Sequence, residues 1–288
     1  MHTWALANQK GGTGKTTTAI HLAASLSTRG KRCLLIDLDP QAHATLGLGL
    51  AVEDGSSIAA AFLDRVPLTE LVRTTGAGFH AVASEPRLGE FEEVAERSLQ
   101  PERILTQALA ELPARYDHVL LDCPPRADGV LTQNAVRAAD TTLLVVETGA
   151  FALQGALAAR AIFEEHMHPA GDPAARERHR ALRIVATLYD PRERMSREFL
   201  IALQARFGDV LYDTVIRRDE VLREAVACGV PAPRLAPDSD AARDFDALAA
   251  ELLGQDGPDE PGIPRAARSG EAGGAFASSV LTLPSTLD

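Results

Sequence analysis

The sequence predicts an α/β fold built on a doubly wound, mainly parallel sheet that is flanked by helices. Three observations support this prediction: short, almost wholly apolar runs recur along the chain, helical patterns separate most of them, and a glycine-rich loop follows the first run at once. Such runs are typical of parallel strands covered on both faces, and strands that alternate with helices form doubly wound sheets. Ligands of these sheets bind at the carboxyl ends of the strands.

The apolar runs give the predicted elements in chain order. The first strand spans residues 3–7, and the helix after the glycine-rich loop runs from Lys15 to about Arg29, with Gly30 as its stop. The further predicted strands lie at 33–38, 79–83, 118–122, 142–147, 183–188 and about 210–216.

The composition changes near the C-terminus and sets the domain boundary. From Gly254 onward the chain is rich in Gly, Pro, Ala and Ser and holds five acidic residues against two arginines. Segments of this composition cannot bury enough apolar surface to fold. We therefore expect a single domain over residues 1–253 and a disordered tail over residues 254–288. A Pro/Arg-rich piece at 167–180 is expected to form a surface loop.

Composition also excludes several classes of protein. The three cysteines, Cys33, Cys123 and Cys228, are widely spaced, so a disulfide framework is not expected and a reducing cytosol fits. No signal peptide and no apolar stretch of about 18 residues stands out. The net charge of −11 argues against a surface coated in nucleic-acid-binding charge but permits a local basic patch.

The glycine-rich loop indicates a phosphate site. It is made of Lys10, Gly11, Gly12, Thr13, Gly14, Lys15, Thr16 and Thr17. Glycines allow successive backbone N–H groups to surround a phosphate, and the helix N-terminus adds partial positive charge. In this pattern Lys15 bridges the β- and γ-phosphates of a nucleotide, Thr16 ligates Mg²⁺ and Thr17 bonds the α-phosphate. The sequence therefore predicts a P-loop NTPase fold that binds ATP and Mg²⁺.

One departure from the usual loop pattern is informative. The glycine expected five residues before Gly14 is replaced by Gln9, and a second lysine, Lys10, follows it. With Ala7-Asn8-Gln9 before that lysine and the run 34–41 ending in Asp-Pro-Gln downstream, residues 1–253 resemble the ParA/MinD family of P-loop ATPases, of the SIMIBI-like kind, and within it the ParA branch. The resemblance implies that Lys10 reaches the partner's nucleotide across an ATP-bound homodimer, like an arginine finger in trans.

Three carboxylates follow predicted strands and complete the expected site. Asp37 and Asp39 lie at the end of the second strand, where alternation points both the same way, and Asp122 ends a later apolar strand. The resemblance implies that Asp39 positions the attacking water, that Asp37 supports the metal, and that Asp122 holds Mg²⁺ as the Walker B carboxylate. A role as a helix cap is the alternative for each of them.

Arginines in the second half of the chain suggest a DNA-binding face. Between Arg176 and Arg197 the sequence has seven arginines and three acids. The resemblance assigns DNA contact to the stretch that holds Arg192 and Arg194, and a second stretch has Val221 where the family usually has arginine. The residues that could contact DNA phosphates are Arg192, Arg194, Arg217, Arg218 and Arg223. A solvated face of mixed charge is the alternative.

The resemblance implies a cytoplasmic, nucleoid-associated ATPase that segregates or positions DNA or cargo. Its implied partners are non-specific DNA and a ParB-like activator, and it places adenine contacts around Pro237 and Asp238. A membrane role is not expected, because the predicted last helix is acidic. Two rival functions remain: an ATP-switched positioning scaffold without DNA binding, and a metabolic P-loop ligase or metal-cluster carrier.

Overall fold

A computed structural model describes residues 1–97, 99–149, 152–167 and 181–254, which form one α/β domain. A sheet of eight strands lies at its centre within these ranges. The strands are β1 His2–Ala7, β2 Cys33–Asp37, β3 Arg73–Thr74, β4 His80–Val82, β5 His118–Asp122, β6 Thr141–Glu147, β7 Ala181–Tyr189 and β8 Leu211–Arg217. Their order across the sheet is β3-β4-β2-β5-β1-β6-β7-β8.

The predicted sheet is confirmed, with one addition. Each predicted strand is present within two residues of its expected ends, and its neighbours pair in parallel. The addition is β3, which pairs antiparallel with β4. It is two residues long and exposed, so no apolar run in the sequence could have indicated it.

Helices connect the strands and cover both faces of the sheet. Their bounds are α1 Lys15–Thr28, α2 His43–Gly47, α3 Ile58–Leu63, α4 Leu68–Leu71, α5 Glu90–Ala95, α6 Ile104–Ala110, α7 Val130–Ala138, α8 Ala152–Met167, α9 Arg194–Phe207, α10 Val221–Cys228, α11 Ala232–Leu235 and α12 Asp240–Leu252. Short 3-10 turns occupy residues 86–89 and 101–103. The predicted end of α1 is confirmed: Arg29 caps it, and Gly30 follows at φ +76° in the left-handed region that favours glycine.

Two hydrophobic cores lie on the two faces of the sheet. On one face α1 and α12 bury Leu22 and Phe245 against the strands. On the other face α7 and α8 bury Leu131 and Phe163. None of the helices in the described ranges combines the length and the apolar content needed to span a lipid bilayer.

The strand order brings polar residues to one edge of the sheet. From β1 the chain continues to β2 on one side of the sheet, whereas β6, β7 and β8 follow on the other side. The carboxyl end of β1 therefore lies where the direction of winding reverses, which is the usual ligand site of such sheets. The predicted loop at 167–180 falls outside the described residues beyond Met167, as does the predicted tail beyond Gly254.

Candidate nucleotide site

The loop between β1 and α1 has the backbone shape of a phosphate cradle. Gly12 and Gly14 have φ values of +76° and +90°, which side chains other than glycine rarely adopt. Gly14 is the N-cap of α1, and its carbonyl accepts the Thr18 amide at 2.8 Å. The first amides of the helix therefore remain free of helical partners and face the loop.

Lys15 is the first residue of α1 and is almost fully buried. Its side chain lies at the carboxyl edge of the sheet, where Nζ donates to the Lys10 carbonyl at 3.2 Å. Burial lowers the pKa of Lys15, and the carboxylates of Asp122 and Asp39 oppose that shift. The buried ammonium is thus held between a backbone carbonyl and a group of carboxylates.

Asp37 and Asp122 lie side by side at the ends of β2 and β5, where they are direct register partners. Asp122 is 0% exposed, and neither of its carboxylate oxygens has a hydrogen-bond partner. The Thr16 hydroxyl lies near enough to favour its charged form without meeting hydrogen-bond geometry. Burial raises the pKa of Asp122 well above its usual range, and the charge of Asp37 adds to the rise.

The Asp37 carboxylate connects this pair to the next helix. One oxygen accepts the Asp39 amide at 3.1 Å, and the other accepts the amide and hydroxyl of Thr45 at 2.9 and 2.8 Å. Burial raises the pKa of Asp37 to about 6 despite these bonds. Asp37 thus holds α2 at the edge of the site, a contact that the sequence did not indicate because Thr45 lies eight residues downstream.

Asp39 shapes the loop that follows β2. Its side chain accepts the Gln41 amide at 2.9 Å, and its carbonyl accepts the Ala42 amide at 2.8 Å. Asp39 is 6% exposed, and its charge acts on the pKa of Asp37, Asp122 and Lys15. The structure therefore brings the three predicted carboxylates and Lys15 into one cluster.

Lys10 differs from Lys15 in its surroundings. Its side chain is 58% exposed and forms an ion pair with Glu147 at the end of β6. The loop before it is fixed by Asn8, which accepts the Lys10 amide at 3.1 Å and donates to the Val145 carbonyl at 2.7 Å. The sequence did not indicate the partner of Lys10, since β6 is distant along the chain.

The loop also supplies three threonine hydroxyl groups, those of Thr13, Thr16 and Thr17. Thr13 is buried, and its hydroxyl has no hydrogen-bond partner. Thr16 and Thr17 are partly exposed in the first turn of α1. A buried, unpaired carboxylate beside a threonine hydroxyl and a second carboxylate fits the all-oxygen ligand set that Mg²⁺ prefers. The residues that would hold the ion are Thr16, Asp37 and Asp122.

The three cysteines differ in burial. Cys123 is buried next to Asp122, and burial raises the pKa of its thiol. Burial also raises the pKa of Cys33 to about 12, and Cys228 is exposed. Across the described ranges, no group of three or more His, Cys, Asp or Glu side chains is arranged to hold a metal ion. The Mg²⁺ ligands inferred above include a hydroxyl and thus form a different kind of set.

The predicted DNA-binding arginines lie at the end of β8 or beyond the ends of β7 and β8, and each has an acidic partner. Arg192 makes two bonds to Asp190 at 2.8 and 2.9 Å and lowers the pKa of that carboxyl to about 2. Arg217 is turned inward and bonds Asp244 of α12 at 2.6 Å. The other pairs are Arg194 with Glu198 at 2.6 Å, Arg218 with Glu193 at 3.9 Å and Arg223 with Glu220 at 3.4 Å.

The predicted adenine contacts lie in the turn between α11 and α12. Pro237 and Asp238 are exposed there, and the Asp238 carbonyl accepts Arg243 at 2.6 Å. The helix that follows, α12, packs against α1 of the phosphate loop. The turn that holds Pro237 and Asp238 is thus connected to the phosphate loop through the packing of α12 against α1.

Together, the strand–loop–helix cradle, the buried lysine and the paired carboxylates define a nucleotide-binding P-loop protein. A family model described as an AAA domain matches residues 1–166. The chain is 40% identical over 250 residues to the chromosome-partitioning ATPase Soj of Thermus thermophilus, covering 86% of this chain and 94% of that one. It is 32% identical over 258 residues to the chromosome partitioning protein ParA of Myxococcus xanthus, covering 89% of each.

Among solved structures, cobyrinic acid a,c-diamide synthase from Mycobacterium smegmatis with bound ADP and magnesium is similar. It superposes with a TM-score of 0.75 at 27% identity and covers 91% of this chain and 100% of that chain. The two partitioning proteins have a higher sequence identity to this chain than the synthase has. The chain therefore belongs to the ParA/MinD family of P-loop ATPases, in its partitioning branch.

Proposed function

We propose that this chain is a partitioning ATPase that binds Mg-ATP, forms an ATP-bound dimer and uses hydrolysis to segregate or position DNA or cargo. The observation that carries the proposal is the contrast between the two loop lysines. Lys15 is buried against its own carboxylate cluster, whereas Lys10 is 58% exposed at the rim of the same loop. Lys15 would serve the chain's own nucleotide, and Lys10 would serve a second copy once it leaves its exposed pair with Glu147.

The phosphate loop and the carboxylates divide the work of binding. Backbone amides of residues 11–14 and the first turn of α1 hold the phosphates, and Lys15 neutralises their charge. Thr17 bonds the α-phosphate. Thr16, Asp37 and Asp122 would hold Mg²⁺, which would supply charge stabilisation to the nucleotide phosphates. In support of this, the buried Asp122 carboxylate has no hydrogen-bond partner in the structure, and a cation would compensate its charge.

Hydrolysis is assigned to Asp39 and Lys10. One Asp39 oxygen holds the Gln41 amide, which leaves the other to orient water in the loop after β2. Lys10 would leave Glu147 and reach the nucleotide of the second chain, where its charge offsets the negative charge that develops on the transferring phosphoryl group. Pro237 and Asp238 are proposed to border the adenine.

The proposed partners are non-specific nucleoid DNA and a ParB-like activating protein, in the cytoplasm. Arg218 is held next to the loop that carries Arg192 and Arg194. Its side chain pairs with Glu193, and the Arg218 amide donates to the Tyr189 carbonyl at 2.9 Å. Exposed arginines of this kind bind phosphates without reading sequence. Two copies in a dimer would double the contact.

One observation favours a second function, an ATP-switched scaffold that positions a protein complex without DNA. All five predicted DNA-binding arginines have acidic partners, and the chain carries a net charge of −11. Acidic neighbours compete with DNA phosphates for the same guanidinium groups. The structural similarity to a diamide synthase gives weaker support to a ligase function, because the partitioning relative from Thermus thermophilus is more similar to this chain in sequence than the synthase is.

DNA retention distinguishes these functions. We expect the chain to be retained on non-specific duplex DNA with Mg-ATP and released with Mg-ADP, and Arg192→Ala to reduce retention at least several-fold. Arg183→Ala is the matched control, since Arg183 is an exposed arginine near the start of β7. Equal and negligible retention with both nucleotides, while ATP is still hydrolysed, would remove DNA from the proposal and favour the scaffold.

A further inference from the structure

A threonine of β7 forms a hydrogen bond to the backbone of the phosphate loop. The Thr187 hydroxyl donates to the Thr13 carbonyl at 2.7 Å and lies 3.2 Å from the Val146 carbonyl. Thr187 is 2% exposed, so this hydrogen bond is shielded from water. Because the C=O and N–H of one planar peptide point in opposite directions, holding the Thr13 carbonyl toward β7 directs the Gly14 amide away from it.

The hydrogen bonds continue from Thr187 toward the loop that follows β7 and carries Arg192. The Thr187 carbonyl accepts the Thr148 amide at 3.0 Å, and the Thr148 hydroxyl lies 3.4 Å from the same carbonyl. The Thr148 hydroxyl also lies 2.7 Å from that of Ser196, which accepts the Asp190 amide at 3.1 Å. Asp190 is the residue whose carboxylate holds Arg192.

One arrangement of protons satisfies every donor in this chain. Ser196 accepts from the Asp190 amide and donates to Thr148, Thr148 donates to the Thr187 carbonyl, and Thr187 donates to the Thr13 carbonyl. Thr148, Thr187 and Ser196 are 6%, 2% and 1% exposed. The bonds that lead from the Asp190 amide through Ser196 and Thr148 to the Thr187 carbonyl run in series, and in such a dry environment they strengthen one another. The Thr187 hydroxyl that holds Thr13 belongs to the same residue, so it is linked to this series through the Thr187 backbone.

The backbone beside Thr187 is held in an uncommon conformation. Leu188 has φ +54°, in the left-handed region that branched side chains seldom adopt, and the pairing of β7 with β8 is irregular between Ala186 and Tyr189. Strain of this kind persists where surrounding structure enforces it, and it clusters at functional sites. Here it lies between the hydroxyl that holds the phosphate loop and the loop that carries Arg192.

We propose that Thr187, Thr148 and Ser196 form a hydroxyl relay that positions the phosphate loop and couples it to the Arg192 loop. For its ligand the relay rests on the proposed function, namely nucleotide binding at residues 10–17. Thr187 is a positioning residue for that nucleotide. Thr148 and Ser196 transmit the state of the loop to Asp190 and thereby to the orientation of Arg192.

The first test concerns nucleotide affinity. Thr187→Val removes the hydroxyl but keeps the shape, and we expect it to weaken Mg-ADP binding about tenfold, the loss of roughly one buried hydrogen bond. Thr187→Ser keeps the hydroxyl and should restore most of the affinity. The matched control is Thr142→Val, because Thr142 is a buried β6 threonine whose hydroxyl has no partner. Equal effects of Thr187→Val and Thr142→Val on Mg-ADP affinity would overturn the positioning role.

The second test measures coupling by hydrogen exchange of the amides at 190–193. Addition of Mg-ATP should change their exchange in the wild type. With Ser196→Ala or Thr148→Val, nucleotide affinity should stay within about twofold while that change is lost. A wild type that binds nucleotide without any change in exchange overturns the relay alone. A wild type that binds no nucleotide overturns the proposed function and the relay together.

Discussion

At the residue scale, the same side-chain type takes two roles according to its surroundings. Lys15 is 6% exposed beside Asp122 and Asp39, whereas Lys10 is 58% exposed and pairs with Glu147. A buried ammonium among carboxylates can bind phosphate without moving. An exposed one on a four-carbon stem can change partners at little cost, because ion pairs at exposed positions contribute only about 0–1 kcal/mol.

Substitution of each lysine separates these roles. We expect Lys15→Ala to abolish nucleotide binding, since the phosphate charge then has no buried partner. Lys10→Ala should keep Mg-ATP affinity within about threefold of wild type, an order of magnitude set by the small worth of exposed ion pairs, and should lose dimer-dependent hydrolysis. Equilibrium dialysis with ATP and a phosphate-release assay measure the two effects. Loss of binding in both variants would show that this division of roles is wrong.

His21 gives the fold a dependence on pH that is independent of the site carboxylates. It stacks on Phe245 with ring centroids 5.1 Å apart, its Nδ1 lies 2.7 Å from the Thr17 carbonyl, and its Nε2 has no partner. Burial lowers the pKa of His21 to about 4 from 6.5. The folded state therefore favours the neutral ring, and this stability is fully present above pH 6.5 and is lost as the pH falls toward 4.

His21→Phe keeps the stacked ring and removes the titration. Between pH 7.5 and pH 5 we expect the wild type to lose about 2 kcal/mol more unfolding free energy than the variant, from the linkage between protonation and folding. Urea denaturation at the two pH values measures this difference. Parallel pH profiles for the two proteins would show that His21 is not buried in its neutral form.

At the element scale, Arg217 acts as a clamp between β8 and α12. Its guanidinium bonds both oxygens of Asp244 and pairs with Asp240 at 3.1 Å, and its amide bonds Asp244 at 2.9 Å. Burial raises the pKa of Asp244, and Arg217 opposes that shift. Of the five arginines assigned to DNA, this one is therefore used most heavily within the fold.

Arg217→Ala should destabilise the chain by about 2 kcal/mol, because it leaves the buried Asp244 carboxylate without its partner. Arg223→Ala is the matched control: its pair with Glu220 is exposed on both sides, and we expect a change within about 0.5 kcal/mol. Chemical denaturation of the three proteins measures both values. A loss of DNA retention by Arg217→Ala with unchanged stability would instead make Arg217 a DNA contact.

The elements themselves were largely predictable from the sequence. Parallel strands buried on both faces leave long apolar runs, so seven strands and α1 could be placed from the chain alone. β3 was not predictable, because two exposed residues carry no pattern and form a strand only where β4 offers an edge. The Lys10–Glu147 contact was equally hidden, since strand order decides it, and the Asp37–Thr45 contact depends on the fold of the loop between β2 and α2.

At the scale of the whole molecule, the sheet places two buried carboxylates side by side, and the fold provides no hydrogen-bond partner for one of them. Asp122 is fully buried with no hydrogen-bond partner, next to Asp37. Without a cation, this carboxylate costs stability when it is ionised. We therefore expect the domain to be less stable in its ligand-free state than it would be without the Asp122 charge.

Asp122→Asn removes that charge while keeping the size of the side chain. At pH 8 without nucleotide, we expect the variant to be more stable than the wild type by about 1–3 kcal/mol. Mg²⁺ should add to the thermal shift caused by ATP in the wild type but not in the variant. Differential scanning calorimetry gives all the values. A variant less stable than the wild type in the absence of nucleotide would show that Asp122 already has a partner in the fold.

The class of fold, the position of the phosphate loop and the residue types of the site could be read from the chain, because apolar periodicity and glycine-rich loops are local signals. Which of these residues meet depends on how the strands assemble. Register placed Asp37 beside Asp122, β6 brought Glu147 to Lys10, and β7 brought Thr187 to Thr13. Contacts between residues so far apart along the chain depend on strand order, which no local pattern encodes.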